Sequence, residues 1–321
     1  MLVAILLTLL PAFDWAVLNA TWVGTVQDCR ENGGACWAFI AQKYNLILFG
    51  LYPLELYWRP VTVLVIFALM FAACLTRGLW GRPVVLIWAG GLVLTVWLMR
   101  GGFGLTPVPT SMWGGLPVSL FLATVGLTLG YPLAVLFALM RQSELQVLRV
   151  ISGTLVELVR GVPLIAVLFI SVMVVPLFLP VGIQINKFAC AQVGLIVFAG
   201  AYMSEIIRVG MQVIDKGQFE ASHSLGLGYM TTQAEIVLPQ VNRTITPALV
   251  TTAIGFFQDT TLVIVIGVFD LLNAARAATT DPAWIGLYVE AFLFVGAIYF
   301  VISALISMIG KRVEIHFAQA G

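Results

Sequence analysis

Charge is scarce in this sequence: Asp, Glu, Lys and Arg make up 10% of its 321 residues. A water-soluble domain carries about a quarter charged residues, so this chain lacks the polar surface to live in water. Histidine is scarcer still. His223 and His316 are the two present, and no Cys/His cluster has ligand spacing, so no metal site is expected. No stretch reads G-x-x-x-x-G-K-[ST]; Gly310-Lys311 lacks the upstream glycine, and Arg312 follows where Ser or Thr is needed. The chain therefore carries no nucleotide-hydrolysing loop of its own. No basic patch is interleaved with aromatics, which excludes nucleic acid as a partner. Neither histidine falls in an apolar run, and Asp259 and Asp270 sit in different surroundings, against an intramembrane serine or aspartyl hydrolase. No Lys or Arg precedes Arg30, so a cleaved signal peptide is not expected. The first helix is read as uncleaved, and its missing basic anchor would fit a longer native N-terminus.

Apolar residues, by contrast, make up 61% of the chain, and mean hydropathy is +1.03. The apolar runs predict an all-α integral membrane protein with spans near 1–19, 61–76, 83–99, 117–140, 161–180, 189–211, 245–268 and 286–309. Each is of the order of the 20 residues that a bilayer crossing needs. Eight crossings put both termini on one side. Ten of the sixteen basic residues then share a side: Arg77, Arg82, Arg141, Arg149, Arg160, Arg208, Lys216, Arg243, Lys311 and Arg312. Excess Lys and Arg mark cytoplasmic connections, so this side, with both termini, is expected in the cytoplasm. Cys74 and Cys190 lie in or beside spans and read as small packed hydrophobes. Cys29 and Cys36 share the long outer loop Thr21–Arg59, where an oxidising compartment would permit a disulfide; spacing alone leaves their pairing open.

The chain divides near residue 105, at the Gly- and Pro-rich stretch 101–115. Residues 1–105 form a three-helix N-terminal region with the long outer loop; residues 106–321 hold five helices and nearly all the polar motifs. The loop 212–244 is too polar to be a span. It predicts a helix over 218–225, a reversal at Gly226-Leu227-Gly228 and a second helix over 231–238 that Pro239 ends. Leu225, Leu227, Tyr229 and Met230 gather at the reversal. An apolar knob of this kind either lies on lipid or is covered by a partner. The neighbouring Asp215, Glu220 and Glu235 suit an anionic membrane surface less, which favours a protein partner.

Here the residues themselves carry a resemblance. Glu220-Ala221-Ser222, then Gly226, then Ile236-Val237-Leu238-Pro239, resembles the EAA loop of binding-protein-dependent ABC importer permeases, with Ser222 where the pattern has alanine. Further blocks resemble the polar amino-acid branch, which includes histidine- and glutamine-type permeases. They are Arg160-Gly161-Val162-Pro163-Leu164, Ala201-Tyr202-Met203-Ser204-Glu205-Ile206-Ile207-Arg208, Lys216-Gly217-Gln218-Phe219-Glu220-Ala221 and Gln258-Asp259-Thr260-Thr261-Leu262. Val162, Gln258 and Thr261 depart from the usual R-G-T-P and K-D-T-S-L. The first third is similar to general L-amino-acid permeases with an N-terminal extension, through Gly33-Gly34-Ala35-Cys36-Trp37 and Val108-Pro109-Thr110.

The resemblance implies a type I permease core, one half of a translocation pathway in the bacterial inner membrane. It implies ABC ATPase subunits that bind ATP and Mg, a second homologous permease and a periplasmic amino-acid-binding protein. The chain itself would bind no cofactor and catalyse no reaction. Gly217, Glu220, Ala221, Ser222, Leu225, Gly226, Leu238 and Pro239 would form the ATPase-coupling loop. A secondary amino-acid transporter is the alternative; it predicts internal repeats and broken helices around a midplane site, which only the Asp259 interruption resembles.

Ionisable residues at membrane depth are costly and so are functional candidates. Glu205 and Arg208 share a helix face and can pair; Glu205 either binds a substrate ammonium or neutralises Arg208. Gln258, Asp259, Thr260 and Thr261 interrupt a span and either line the pathway or cap a helix. Glu157 and Arg160, at one-turn spacing, read as a structural ion pair. Glu290 could face either the interior or another permease.

Overall fold

A computed structural model describes residues 10–180 and 185–319 of the chain. Six helices among the described residues are long and apolar enough to cross a membrane: Leu54–Leu75, Arg82–Arg100, Gly115–Gln142, Lys187–Gln212, Tyr229–Ile266 and Tyr288–Phe317. In hydrocarbon every backbone N–H and C=O must be bonded within the segment, so runs of this length have no choice but helix. Of the span expected near 1–19, residues 1–9 lie outside the described residues, and 10–18 are helical, ending in the π-helical turn Asp14–Leu18.

The elements in chain order are α1 (Val26–Asn32), α2 (Trp37–Phe49), α3 (Trp58–Leu75), α4 (Arg82–Arg100), α5 (Gly115–Gln142), α6 (Gln146–Gly161) and α7 (Leu164–Val174). They continue with α8 (Lys187–Gln212), α9 (Lys216–Ser224), α10 (Leu238–Asp259), α11 (Leu271–Thr279) and α12 (Tyr288–Gln319). Of the crossing expected over 161–180, Leu164–Phe178 is helical but is too short to count among the six by itself. The chain bends by 115° between Gln146–Gly161 and Leu164–Phe178. Pro163 disfavours helical backbone at the residue before it, and Val162 is accordingly extended, with φ −112° and ψ 134°. The R-G-V-P block is thus a corner.

The centre is the pair α5–α8, packed along most of its length. With no solvent to drive helices together in lipid, association depends on how closely backbones approach. Gly130 and Gly200 supply that approach: a Cβ on Gly130 would stand 2.9 Å from Ala199 Cβ and 3.2 Å from Gly200 N. Against this pair pack α6, α7 and α10, and α12 packs on α10. The α3–α4 hairpin lies to one side, touching α5 and α12.

The Thr21–Arg59 stretch, expected as a loop, is folded into α1 and α2. One face of α2, with Ala38, Phe39 and Ile47, is buried against Leu271, Ala275 and Ala278 of α11 and Trp284. Residues before 105 therefore share a core with residues after it. A disulfide joins Cys29 and Cys36. The N–H of Cys36 donates to Glu290 Oε1 at 3.0 Å, so Glu290 faces inward, 5% exposed. Lys43 pairs with Asp281, holding that carboxyl below the usual carboxylate range. Asp270 is fully buried and caps α11, accepting from Leu272 N–H at 3.1 Å and Asn273 N–H at 3.0 Å; burial pushes its carboxyl up to about 6. Of the other cysteines, Cys190 is buried and Cys74 is half-buried, its Sγ accepting from Trp88 Nε1 at 3.2 Å.

The α5–α8 contact gives a direct expectation. Gly130→Val should wedge the pair apart at a cost of about 1–3 kcal/mol, the usual penalty of overpacking. Gly90→Val, on an open face of α4, should leave stability unchanged. Thermal unfolding of both variants in detergent checks the contrast, and equal midpoints would contradict it.

Candidate coupling elbow and membrane charge cluster

Helix α8 ends at Gln212, and Asp215 starts α9 by accepting from Gly217 N–H at 2.8 Å. Glycine at 217 leaves that amide accessible to the cap. Along α9, Glu220 and Ala221 point to solvent, whereas Ser222 is buried. The hydroxyl of Ser222 donates to Gln218 O at 2.6 Å. A buried serine is thereby satisfied within its own helix, which is how it replaces alanine without disturbing packing.

The reversal is a Schellman closure. Gly226 N–H donates to His223 O at 2.9 Å, and Leu227 N–H to Ser222 O at 3.1 Å. Gly226 has φ +74°, a conformation that side chains rarely adopt. Leu225, Tyr229 and Met230 stand out from this turn, 77%, 52% and 69% exposed. The elbow is an apolar tip on a hydrogen-bonded frame.

The second arm differs from expectation at Pro239. A helical turn over Tyr229–Thr231 runs into a π-helical segment, Thr232–Val237, and on into α10 with Pro239 in its first turn. Proline removes one donor and crowds the turn before it; the wider π segment absorbs both faults. No stop results. Tyr229–Ile266 is one helical run. Thr232, Gln233 and Val237 are buried beneath α9, Leu238 packs on the main core, and Gln240 Nε2 reaches Gln218 Oε1 at 3.3 Å. The two arms are packed on one another and joined by that hydrogen bond.

Just inside the membrane from the elbow lies a charge cluster. Arg208 grips Glu205 in a fork, Nη2 to Oε1 at 2.5 Å and Nε to Oε2 at 3.1 Å. Arg141, from the end of α5, donates to Glu205 Oε2 at 2.7 Å, and Arg160 approaches the same oxygen at 3.8 Å. Arg160 also lies over the Tyr202 ring, 5.6 Å from its centroid. The expected Glu157–Arg160 pair is not formed. Glu157 instead sits 3.7 Å from Arg141, with its side chain 72% exposed, while Arg160 turns to Glu205. A carboxylate shared among guanidiniums is the stronger attraction. Both oxygens of Glu205 are occupied, and the surrounding cations would repel an ammonium group.

The four residues Gln258 to Thr261 are split by the local backbone. Helix α10 ends at Asp259 and the chain tightens to 3-10 geometry over Thr260–Ile266. Gln258 and Thr261 open onto a groove of about 390 Å³ against Phe292 and Tyr299 of α12. Thr260 turns inward, fully buried, and its hydroxyl donates to Phe257 O at 2.7 Å. Asp259 is half-buried and caps no helix. At 1.5 Å per residue the group lies about 30 Å along α10 from its elbow end, far from Glu205.

Sequence reasoning missed several members of this framework. Tyr131 Oη donates to Asn242 Oδ1 at 2.6 Å, joining α5 to α10. Arg59 is 1% exposed and donates to Thr106 O at 2.7 Å. Arg141 was legible only as a basic loop residue, because its partner lies 64 positions away.

Comparison with known proteins agrees with this geometry. Residues 130–315 match the family described as binding-protein-dependent transport system inner membrane component. The chain is 42% identical, over 96% of its length and 84% of the relative's, to the inner membrane amino-acid ABC transporter permease protein YhdY of Escherichia coli K12. It is 30% identical, over 94% of its length and 86% of the relative's, to the glutamate/glutamine/aspartate/asparagine transport system permease protein BztC of Rhodobacter capsulatus. A crystal structure of an amino acid ABC transporter with histidines superposes with TM-score 0.54 at 30% identity, covering 63% of this chain and 92% of the other. The elbow block, the arginine-held glutamate behind it and matches across nearly the whole chain agree: this protein belongs to the binding-protein-dependent transport system inner membrane components, with the type I ABC permease fold.

Proposed function

We propose that this chain is the permease subunit of an ATP-driven amino-acid importer, forming half of the pathway and driven through its elbow by a separate ATPase. The observation that carries this reading is the elbow's construction: an exposed apolar tip on a rigid turn whose second arm continues into a transmembrane helix. A flexible loop could not transmit a displacement. A helical run from Tyr229 to Ile266 can, because moving one end moves the other. The far end of that run carries Gln258, Asp259 and Thr261, the polar groups best placed to meet a zwitterion in the bilayer. ATP and Mg belong to the partner ATPase, whose closing motion the elbow would follow. The amino-acid cargo is supported by the relatives' names, and delivery would come from a periplasmic binding protein on the opposite face. A second, homologous permease would complete the pathway. The elbow face, bearing most of the basic residues, is the cytoplasmic one in this reading, with both termini on it.

Within this scheme Glu205 is a latch rather than a substrate ligand. It ties α5, α6 and α8 together immediately behind the elbow, where ion pairs can rearrange as the helices rock.

Two outcomes follow. In proteoliposomes containing the assembled transporter, Gly226→Asp should lower ATP-dependent amino-acid uptake at least about tenfold, equivalent to ~1.4 kcal/mol of coupling, while the permease still folds. Coupled transport at the normal rate would refute the elbow. Glu205→Ala should destabilise the permease by about 1–3 kcal/mol, the cost of leaving half-buried charged groups without their hydrogen-bond partner, and lower the transport rate with KM unchanged. A raised KM at unaltered thermal stability would instead make Glu205 a substrate ligand.

A further inference from the structure

An apolar slot of about 330 Å³, the size of many ligand sites, lies between the α3–α4 hairpin and the core. Its walls include Phe71, Trp88, Val250, Ala253, Ile306 and Val313. The one indole N–H on the wall is already donated to Cys74 Sγ, so the slot offers a ligand almost nothing polar. Along the helices it runs from Leu120 and Phe257, away from the elbow, to Cys74 and Val313 toward the elbow face. At that end it meets a rim of a different character. Arg312 Nη1 donates to Leu75 O at 2.7 Å, tying α12 to the end of α3. Trp80 stacks edge-on with His316, ring centroids 4.7 Å apart, and Arg243 lies 5.8 Å over Phe317. These contacts set Arg243 and Arg312 along the last turns of α12, and Arg77 is two positions beyond Leu75. All three are exposed, as are Arg82 and Lys311 close by along the chain. None of the five takes part in an ion pair among the described residues.

A dry apolar slot opening onto unpaired guanidiniums and interfacial aromatics has the chemistry of an anionic lipid. Acyl chain suits the slot, phosphate suits the rim, and basic pockets between helices bind such headgroups. We propose that one anionic phospholipid from the leaflet on the elbow side occupies this slot, its headgroup held by Arg77, Arg243 and Arg312. Bound there, it fastens the N-terminal hairpin to the core, where direct side-chain contact is sparse.

Native mass spectrometry of the delipidated transporter, with phosphatidylglycerol or phosphatidylcholine added back, tests the site. The wild type should retain phosphatidylglycerol about tenfold better, a preference of the size that a few headgroup–guanidinium contacts supply. Arg77→Gln/Arg243→Gln, which alters only exposed side chains, should bring the two lipids to parity. Ala253→Trp, which fills the slot, should reduce retention of both. The proposal is overturned if the wild type shows no preference, or if the double variant keeps it. It is overturned equally if the isolated permease binds phosphatidylglycerol but the assembled transporter does not, since the rim would then belong to a protein partner.

Discussion

A carboxylate placed near the elbow end of a membrane helix must find partners, and Glu205 finds three guanidiniums. Isolated, any of these charges would be costly at that depth; together they hold the ends of α5, α6 and α8 in one arrangement. The corner at Pro163 exists beside this node: the bend after α6 leaves Arg160 where it can turn toward Glu205 rather than toward Glu157. The elbow hangs from α8 a few residues further on. Its orientation relative to the membrane helices is therefore set by ion pairs.

The opposite end is held by a different chemistry. There the disulfide, the apolar packing of α2 on α11, the bond from Cys36 to Glu290 and the buried cap at Asp270 converge. Covalent and close-packed contacts do not slide, because packed cores are bistable rather than continuously deformable. Charge pairs in a partly solvated site can exchange partners at modest cost, and Arg141 already has a second carboxylate, Glu157, 3.7 Å away. In the proposed scheme a molecule fastened this way would pivot at the disulfide end and open at the elbow end. That asymmetry is what a device driven from one side of a membrane requires.

What the sequence made legible was local. Six spans followed from apolar runs, and the reversal at Gly226 from a glycine where positive φ was needed. The pairing of Glu205 with Arg208 followed from their one-turn spacing. The failures were non-local. Arg141 reaches Glu205 across 64 positions, and that competing partner is why Glu157 and Arg160, adjacent on one helix, do not pair. Thr21–Arg59 looked like a loop because its apolar face has meaning only against α11, more than two hundred residues away. Pro239 misled for another reason: a π segment can absorb a proline, and residue identity alone does not announce one.

The same proline has a mechanical consequence. A helix broken at Pro239 would have left the elbow on a hinge, free to move without disturbing the membrane. The π segment joins the second arm of the elbow to α10 in one helical run, and regular helix ends at Asp259. There the backbone tightens to 3-10 geometry and separates Thr260, turned inward, from Gln258 and Thr261, turned to the groove. In the proposed scheme a displacement at Leu225 or Met230 would be delivered to the stretch after α10, where alpha-helical bonding gives way to 3-10 geometry. In that scheme the lever would reach Gln258 and Thr261 only because Pro239 does not end the helix.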